Sequence, residues 1–261
     1  MKIARFETES KVAYGILDGD TIDVIDGEPF DGIDTTGEKV SLSQARLLAP
    51  VTPPSVIAIG LNYRRHAEES GMAIPGHPQM FLKATSSVIG PGDPIRIPRM
   101  APTEVDYECE LCIVIGKTAK HVSEAEALDY VLGYTCGNDV SARDCQLKLD
   151  AVWARGKSFD TFCPIGPHIE TELDPDSCDI TTRVSGETMQ DSSTSDMIFG
   201  CAKLVSWLSE VMTLAPGTVI MTGTPEGVGF ARKPAVFLKD GDTVGIEVAG
   251  IGTLTNPVIN E

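Results

Sequence analysis

Glu108 and Glu110 stand two residues apart in "VDYECELCIVIGK", a stretch otherwise apolar enough to read as a buried strand. Side chains at i and i+2 of a strand share a face. The chain must therefore fold with two carboxylates side by side, and Cys112 and Val114 continue their face inward. Paired ionised carboxylates repel, and burial adds a desolvation cost. A solvated strand face, neutralisation by Arg or Lys, or a bound cation would each relieve the conflict. Asp139, in "GNDVSARD", follows a second apolar strand and offers a third carboxylate. Such an all-oxygen set suits a hard cation, Mg²⁺ or Mn²⁺, with positions left for water and substrate.

The chain around this feature divides unevenly. Residues 1 to 50 read as a small β unit, in which "KIARFET" and "KVAYGILDGDTIDVIDG" alternate apolar and polar residues with Asp-Gly turn signals. "LSQARLLAP" reads as a brief helix, and "VTPPS" at 51 to 55 as the linker to a second domain, residues 51 to 261. In that domain "SVIAIGL", "PIRIP", "ELCIVIGK", "VLGYTCGNDVS", "TVIMTG", "AVFLKDGDTVGIEVAG" and "IGTLTNPVI" read as strands. "NYRRHAEESG", "SEAEALDYV" and "SDMIFGCAKLVSWLSEVM" read as helices, the first with Asn62 as N-cap and Gly71 as its stop. Regular βα alternation is missing, which disfavours a doubly wound sheet and indicates an α+β fold. At 261 residues the chain is long enough for a sizeable core.

A formal net charge of −17 repels phosphate backbones, so neither nucleic acid nor an anionic membrane is an expected partner. No apolar run reaches the length of a membrane span, and "MKIARFETESKVAYG" lacks the apolar core of a signal peptide. Seven cysteines are then expected as reduced thiols in the cytoplasm.

Further candidates lie in short motifs. His66 and Glu69 are three apart on one helix, where a carboxylate on one ring nitrogen would fix the tautomer and leave the other to take a proton from water. A plain surface His–Glu contact has the same spacing. Lys157, in "WARGKSFDTFCPIGP", could pair with an anionic substrate or supply a proton to a carbanion, or could be a lysine snorkelling to the surface. Arg143 and Gln146 bring a cation and an amide close to Asp139, unless they are ordinary helix-face polarity. "MTGTPEGVG" is either an anion-binding nest of backbone N–H groups assisted by the Thr224 hydroxyl, or simply a tight loop. Cys109 and Cys112 are spaced C-x-x-C but fall on opposite strand faces, which argues against zinc or redox chemistry.

Together, "AIGLNYRRHAEE", "VDYECEL", "GNDVSARD", "RGKSFDTFCPIGP", "QDSSTSDMIF" and "MTGTPEGVG" resemble the fumarylacetoacetate hydrolase family, in its order and spacing from about residue 51 onward. The resemblance implies a mixed β-sandwich roll preceded by a small N-terminal β unit, a homodimer, and one Mg²⁺ or Mn²⁺ per site. It places metal ligands at Glu108, Glu110 and Asp139, a catalytic dyad at His66 and Glu69, and an active-site lysine at Lys157. Substrate contacts fall on Arg143, Gln146 and Thr224. The fumarylacetoacetase branch carries a further metal-ligating Asp seven residues before the histidine; Ile59 stands there instead, which favours the branch acting on small 2-oxo acids.

The activity implied is cleavage of acylpyruvates or decarboxylation of oxaloacetate through a metal-stabilised enolate. Isomerisation of 2-hydroxy-dienedioates in aromatic catabolism, or non-catalytic binding of an acid, are the alternatives. Three carboxylates around a divalent ion keep one negative charge, so an anionic substrate would need Lys157 and Arg143 nearby.

Overall fold

A computed structural model describes residues 1–261. The fold is α+β, with most regular structure in two sheets and few helices. Strands of three or more residues are numbered β1 (Lys2–Glu7), β2 (Val12–Asp18), β3 (Thr21–Ile25), β4 (Thr35–Ser41), β5 (Val56–Gly60), β6 (Gln79–Lys83), β7 (Ile95–Ile97), β8 (Cys109–Ile115), β9 (Val131–Asn138), β10 (Cys163–Glu170), β11 (Asp179–Val184), β12 (Glu187–Ser193), β13 (Val219–Met221), β14 (Thr243–Val248) and β15 (Gly252–Asn260). The helices are α1 (Arg64–Ser70), α2 (Ala154–Lys157) and α3 (Cys201–Val211). No helix is long and apolar enough to cross a membrane.

The larger sheet runs β4-β3-β2-β1-β10-β9-β8-β13-β5-β6, with Arg46–Leu47 added on β1 and Val88–Ile89 on β10. The smaller one runs β12-β11-β14-β15-β7. Both mix parallel and antiparallel pairs. Every residue of β8 is buried, as expected of a central strand covered on both faces. Cys109, Leu111, Ile113 and Ile115 face the main core, which also takes Ile180, Ile246 and Leu254 from the smaller sheet. Cys112 and Val114 face a second core with Ile165, Ile169 and Met221, so the two cysteines do lie on opposite faces. Ile3, Tyr14 and Ile25 of the first 50 residues belong to that second core.

Several helices expected from the sequence are shorter or absent. "LSQARLLAP" gives one 3₁₀ turn, Leu42–Gln44, because Arg46 and Leu47 pair with Glu7 and Phe6 as a strand. "SEAEALDYV" is reduced to a 3₁₀ turn at Ala127–Tyr130, where Ala127 is buried and Tyr130 packs partly against the main core while Leu128 stays exposed, too little apolar surface to hold a longer helix. α3 begins only at Cys201, because Ile198 N–H bonds the Asn62 carbonyl and Phe199 N–H the Asn62 side chain, which fixes the preceding segment outside a helix. "AVFLKDG" contributes no strand ahead of β14. Gly71 ends α1 as expected, with φ +65° and its N–H on the Ala67 and Glu68 carbonyls. Asn62, by contrast, is not the cap. Tyr63 holds that position, and the Asn62 amide instead donates to the carbonyls of Phe199 and Thr222 at 3.0 and 2.7 Å.

Candidate active site

The antiparallel register of β8 and β9 builds the acidic centre. Cys109 pairs with Asn138, which sets Glu108 beside Asp139, whose N–H bonds the Glu108 carbonyl at 2.9 Å. Glu110 opposes Gly137 one step further along. Carboxylate oxygens of Glu108, Glu110 and Asp139 lie within 4.8 Å of one another, and all three residues are buried. The paired glutamates are thus not on a solvated face.

Part of their charge is met by the protein itself. Lys157 Nζ bridges Glu108 Oε2 and Asp139 Oδ2, at 2.7 Å from each. Lys83 pairs with the other oxygen of Asp139 from a fully buried position. Arg143 Nη2 lies 2.7 Å from Glu108 Oε1, and its Nε donates to Asp106 Oδ2 at 2.8 Å. Lys157 is not a snorkelling surface residue; it is 2% exposed. Burial opposes its ammonium charge, yet Asp139 and Glu108 outweigh that and raise its pKa. Burial likewise works against an ionised Glu108, but Lys157 and Arg143 hold its carboxyl down at about 2.

Glu110 has no such partner. Its Oε2 accepts one hydrogen bond, 2.8 Å from Gly223 N–H. Burial, compounded by the charges of Asp139 and Glu108, pushes its pKa well above the carboxylate range. Formally, four buried carboxylates (with Asp106) meet three cations (with Lys83), leaving one negative charge. A hard divalent cation fits this donor set: three convergent oxygens, no thiolate or imidazole among them, and one carboxylate unmatched by a cation. It would leave one net positive charge for an anion, whereas the three carboxylates weighed on their own leave a negative one.

The nearby dyad is formed as well. His66 Nδ1 lies 3.2 Å from Glu69 Oε2. A carboxylate can only accept, so Nδ1 carries the proton and Nε2 is left as the acceptor. Glu69 is itself held by Gly227 N–H at 3.0 Å. Three backbone N–H groups of "MTGTPEGVG", at Gly223, Gly227 and Gly229, already serve protein carboxylates (Glu110, Glu69 and Asp106) and not a free anion. Gly223 and Gly227 have positive φ, +98° and +97°, and a Cβ at 223 would lie 2.7 Å from Asn62 Cβ. This turn admits no side chain at either position.

A cavity of about 260 Å³ is lined by His66, Glu108, Glu110, Asp139, Arg143, Gln146, Lys157 and Thr224. Glu69 stands behind His66 and does not line it. Gln146 Oε1 accepts from Arg143 Nη1 at 2.8 Å. Thr224 Oγ1 accepts from Gln190 Nε2 at 2.8 Å, which leaves its O–H free to donate. Ile59, at the position of the absent aspartate, contributes an apolar wall.

Four participants escaped the sequence reading. Asp106 is fully buried and accepts from Arg143 and from the N–H groups of Tyr107, Gly229 and Phe230. Its signal lay in "VDYECEL" itself, two residues before Glu108. Gln190 opens "QDSSTSDMIF" and ties Cys109 N–H, Thr182, Thr224 and the Pro225 carbonyl together across the sheets. Asn62 sits in "AIGLNYRRHAEE", but as a bridge to Phe199 and Thr222. Lys83 had no signal, since a lysine ending a short strand is commonplace. His121 has Glu124 at the same i,i+3 spacing, yet it meets Glu210 instead, at 3.0 Å on the exposed surface and far along the chain.

Comparison with known proteins matches residues 55–259 to the family described as "Fumarylacetoacetate (FAA) hydrolase C-terminal" and residues 1–50 to "Rv2993c-like, N-terminal". A Xenopus laevis protein named oxaloacetate tautomerase fahd2, mitochondrial, is 47% identical over 232 residues, 87% of this chain and 72% of its own. Among solved structures, the 5-carboxymethyl-2-hydroxymuconate delta-isomerase of Mycobacterium smegmatis is 45% identical, with a TM-score of 0.92 over all of both chains. A fumarylacetoacetate hydrolase from psychrophilic Exiguobacterium antarcticum is 38% identical with a TM-score of 0.91, again over all of both chains.

Proposed function

The chain belongs to the fumarylacetoacetate hydrolase family, and on that premise we propose that it is a divalent-cation-dependent enzyme that cleaves the carbon–carbon bond of acylpyruvates by way of a pyruvate enolate. The observation that carries this reading is one cavity holding both the carboxylate cluster bridged by Lys157 and a histidine whose tautomer Glu69 sets. Residues 51 to 261 form the catalytic part, with residues 1 to 50 as an ancillary β subdomain.

Mg²⁺ or Mn²⁺ on Glu108, Glu110 and Asp139 would supply Lewis acidity to the carboxylate and 2-oxo oxygens of the substrate. Arg143 and Lys157 hold the substrate's negative charge, and Thr224 O–H and the Gln146 amide N–H groups orient it. His66 Nε2 takes a proton from water as the water oxygen bonds to the distal carbonyl carbon. The carbon–carbon bond then breaks, its electron pair passes into the enolate of pyruvate, and the acyl group leaves as a carboxylic acid. The imidazolium returns the proton to the enolate carbon. Lys157, held charged by Asp139 and Glu108, serves as fixed positive charge beside the enolate.

A second reading, enol–keto or double-bond isomerisation, is favoured by the names of the Xenopus and M. smegmatis relatives. It uses the same lysine and arginine and needs no attacking water. Oxaloacetate decarboxylation reaches the same enolate by loss of CO₂. Products from acylpyruvates, oxaloacetate and 2-hydroxy-dienedioates, followed by NMR with and without Mg²⁺ and Mn²⁺, separate these reactions. Silence across the panel would leave a non-catalytic acid-binding protein. From the family resemblance we also propose a homodimer, and from seven buried unpaired cysteines a reducing compartment such as the cytoplasm.

A further inference from the structure

The cavity is polarised along its depth. Its closed end holds the charges: Glu110 and Asp139 are 1% exposed, Lys157 2% and Arg143 3%. Its mouth is mainly apolar, with Met72 and Leu147 about half exposed and Trp153 half-buried between surface and interior, and Ser70 the uncharged polar side chain beside Met72. Lys157 and Arg143 are the only lysine and arginine that line the cavity, and both are engaged by carboxylates at the closed end.

Trp153 is seated with care. A Cβ at Gly60 would lie 2.4 Å from its Cζ3 and 2.9 Å from its Cη2, so the indole fills the space that any other residue at position 60 would need. Phe81 meets the indole edge-on, centroids 5.5 Å apart at 83°. The Phe81 ring is in turn 5.4 Å from Lys157 Nζ. Moving outward from the ammonium, the wall is therefore Phe81 and then Trp153.

We propose that Trp153, lodged against Gly60, is a specificity-determining residue that selects 2-oxo acids whose end distal to the carboxylate is uncharged and apolar. The inference rests on the reading of the cavity as a 2-oxo acid site. A second carboxylate at the mouth would shed water against indole, thioether and leucine with no cation to replace it. A methylene placed there gains up to about fourfold in affinity when fully buried.

Calorimetric binding of non-cleavable 2-oxo acids in the presence of Mg²⁺ tests this apart from the reaction. From pyruvate through 2-oxobutanoate and 2-oxohexanoate to 2-oxooctanoate, affinity should rise about two- to fourfold per methylene. 2-Oxoglutarate should bind more weakly than 2-oxohexanoate. Trp153→Ala should flatten the series and leave pyruvate nearly unchanged, while Trp153→Phe keeps most of the slope. A wild-type series without slope, tightest binding of 2-oxoglutarate, no binding at all, or a slope that survives in Trp153→Ala overturns the assignment. Turnover of acylpyruvates beside a flat series retains the function and removes this role from Trp153. A steep, Trp153-dependent series without turnover of any 2-oxo acid retains the role and removes the function.

Discussion

Lys157 Nζ stands 2.7 Å from Oδ2 of Asp139. One of the oxygens available to a metal thus already faces a cation of the protein, and a divalent ion must share that carboxylate or displace the ammonium from it. Lys157→Met removes the competitor, so Mg²⁺ should bind more tightly, by about tenfold or more given the strength of charge interactions at this separation. Turnover should fall at the same time, since an anionic substrate loses a buried partner worth about 2–5 kcal/mol. Calorimetric titration of Mg²⁺ into the variant checks the first effect. An unaltered dissociation constant would show that the ammonium swings clear of the carboxylates on its own.

Glu110 is the carboxylate left without a cation, so it should report metal binding most clearly. Free ion at a hundred times its dissociation constant stabilises the native state by about 2.7 kcal/mol, which corresponds to roughly 5–10 °C in a chain of this size. Glu110→Gln should abolish that rise while melting no lower than the metal-free parent, because Gly223 N–H keeps its acceptor and a buried repulsion disappears. A thermal scan in which the variant still responds fully to Mg²⁺ would place the ion elsewhere.

Asp106→Ala should be among the most destabilising single changes in the site. It leaves Arg143 and three backbone N–H groups buried without their acceptor, a loss of about 3–5 kcal/mol. Urea unfolding measures it directly, and a loss under about 1 kcal/mol would mean that water replaces the carboxylate.

His66→Ala should divide the possible reactions. Cleavage of acylpyruvates, which needs water deprotonated, should drop about 10²–10⁴-fold, whereas decarboxylation of oxaloacetate should persist in good part. Parallel assays of one preparation decide this. Equal losses would assign the histidine to substrate binding.

His168 governs a separate, acid-side effect. Burial, reinforced by Lys2 and the N-terminal ammonium, pushes its imidazole down to about 4, against 6.5 for an unperturbed one, with Glu170 only partly opposing. The unfolded chain therefore takes up this proton first. Its contribution is fully present above about pH 6.5 and is lost as the pH falls to about 4. The slope is up to about 1.4 kcal/mol per pH unit. His168→Gln should remove that slope from denaturation curves recorded across the interval; a variant with the parental slope would assign the acid loss to another group.

What could be read from the sequence follows a physical divide. Alternation exposed β1, β2, β3 and the apolar run of β8, because strand burial is a local pattern. The carboxylate trio was legible because "ECE" and "GND" fall on two strands that pair. Lys83 was not, since what matters about it is the depth to which β6 carries its ammonium, a tertiary fact. Asp106 shows a different failure: its carboxylate was in view, but its use depends on Arg143, 37 residues along the chain. Helix content was overestimated at Ser123–Val131 and Ser195–Gly200, where propensity gives way to a scant apolar face in one case and to the Asn62 bridge in the other.

β1 pairs along β10, Ile3 opposite Ile169, and the ladder continues outward to β4. β10 reads Cys-Pro-Ile-Gly-Pro-His-Ile-Glu and is almost wholly buried, whereas β4 reads Thr-Thr-Gly-Glu-Lys-Val-Ser and exposes all but Val40. The first fifty residues thus move the open margin of the sheet from a buried strand to an exposed, charged one. A chain shortened to begin at the linker would present Ile165 and Ile169 beside unpaired backbone groups, a template for joining strand to strand with its neighbours. Such a truncation would fail through aggregation before any question of catalysis arose, although every residue of the carboxylate cluster remained in place.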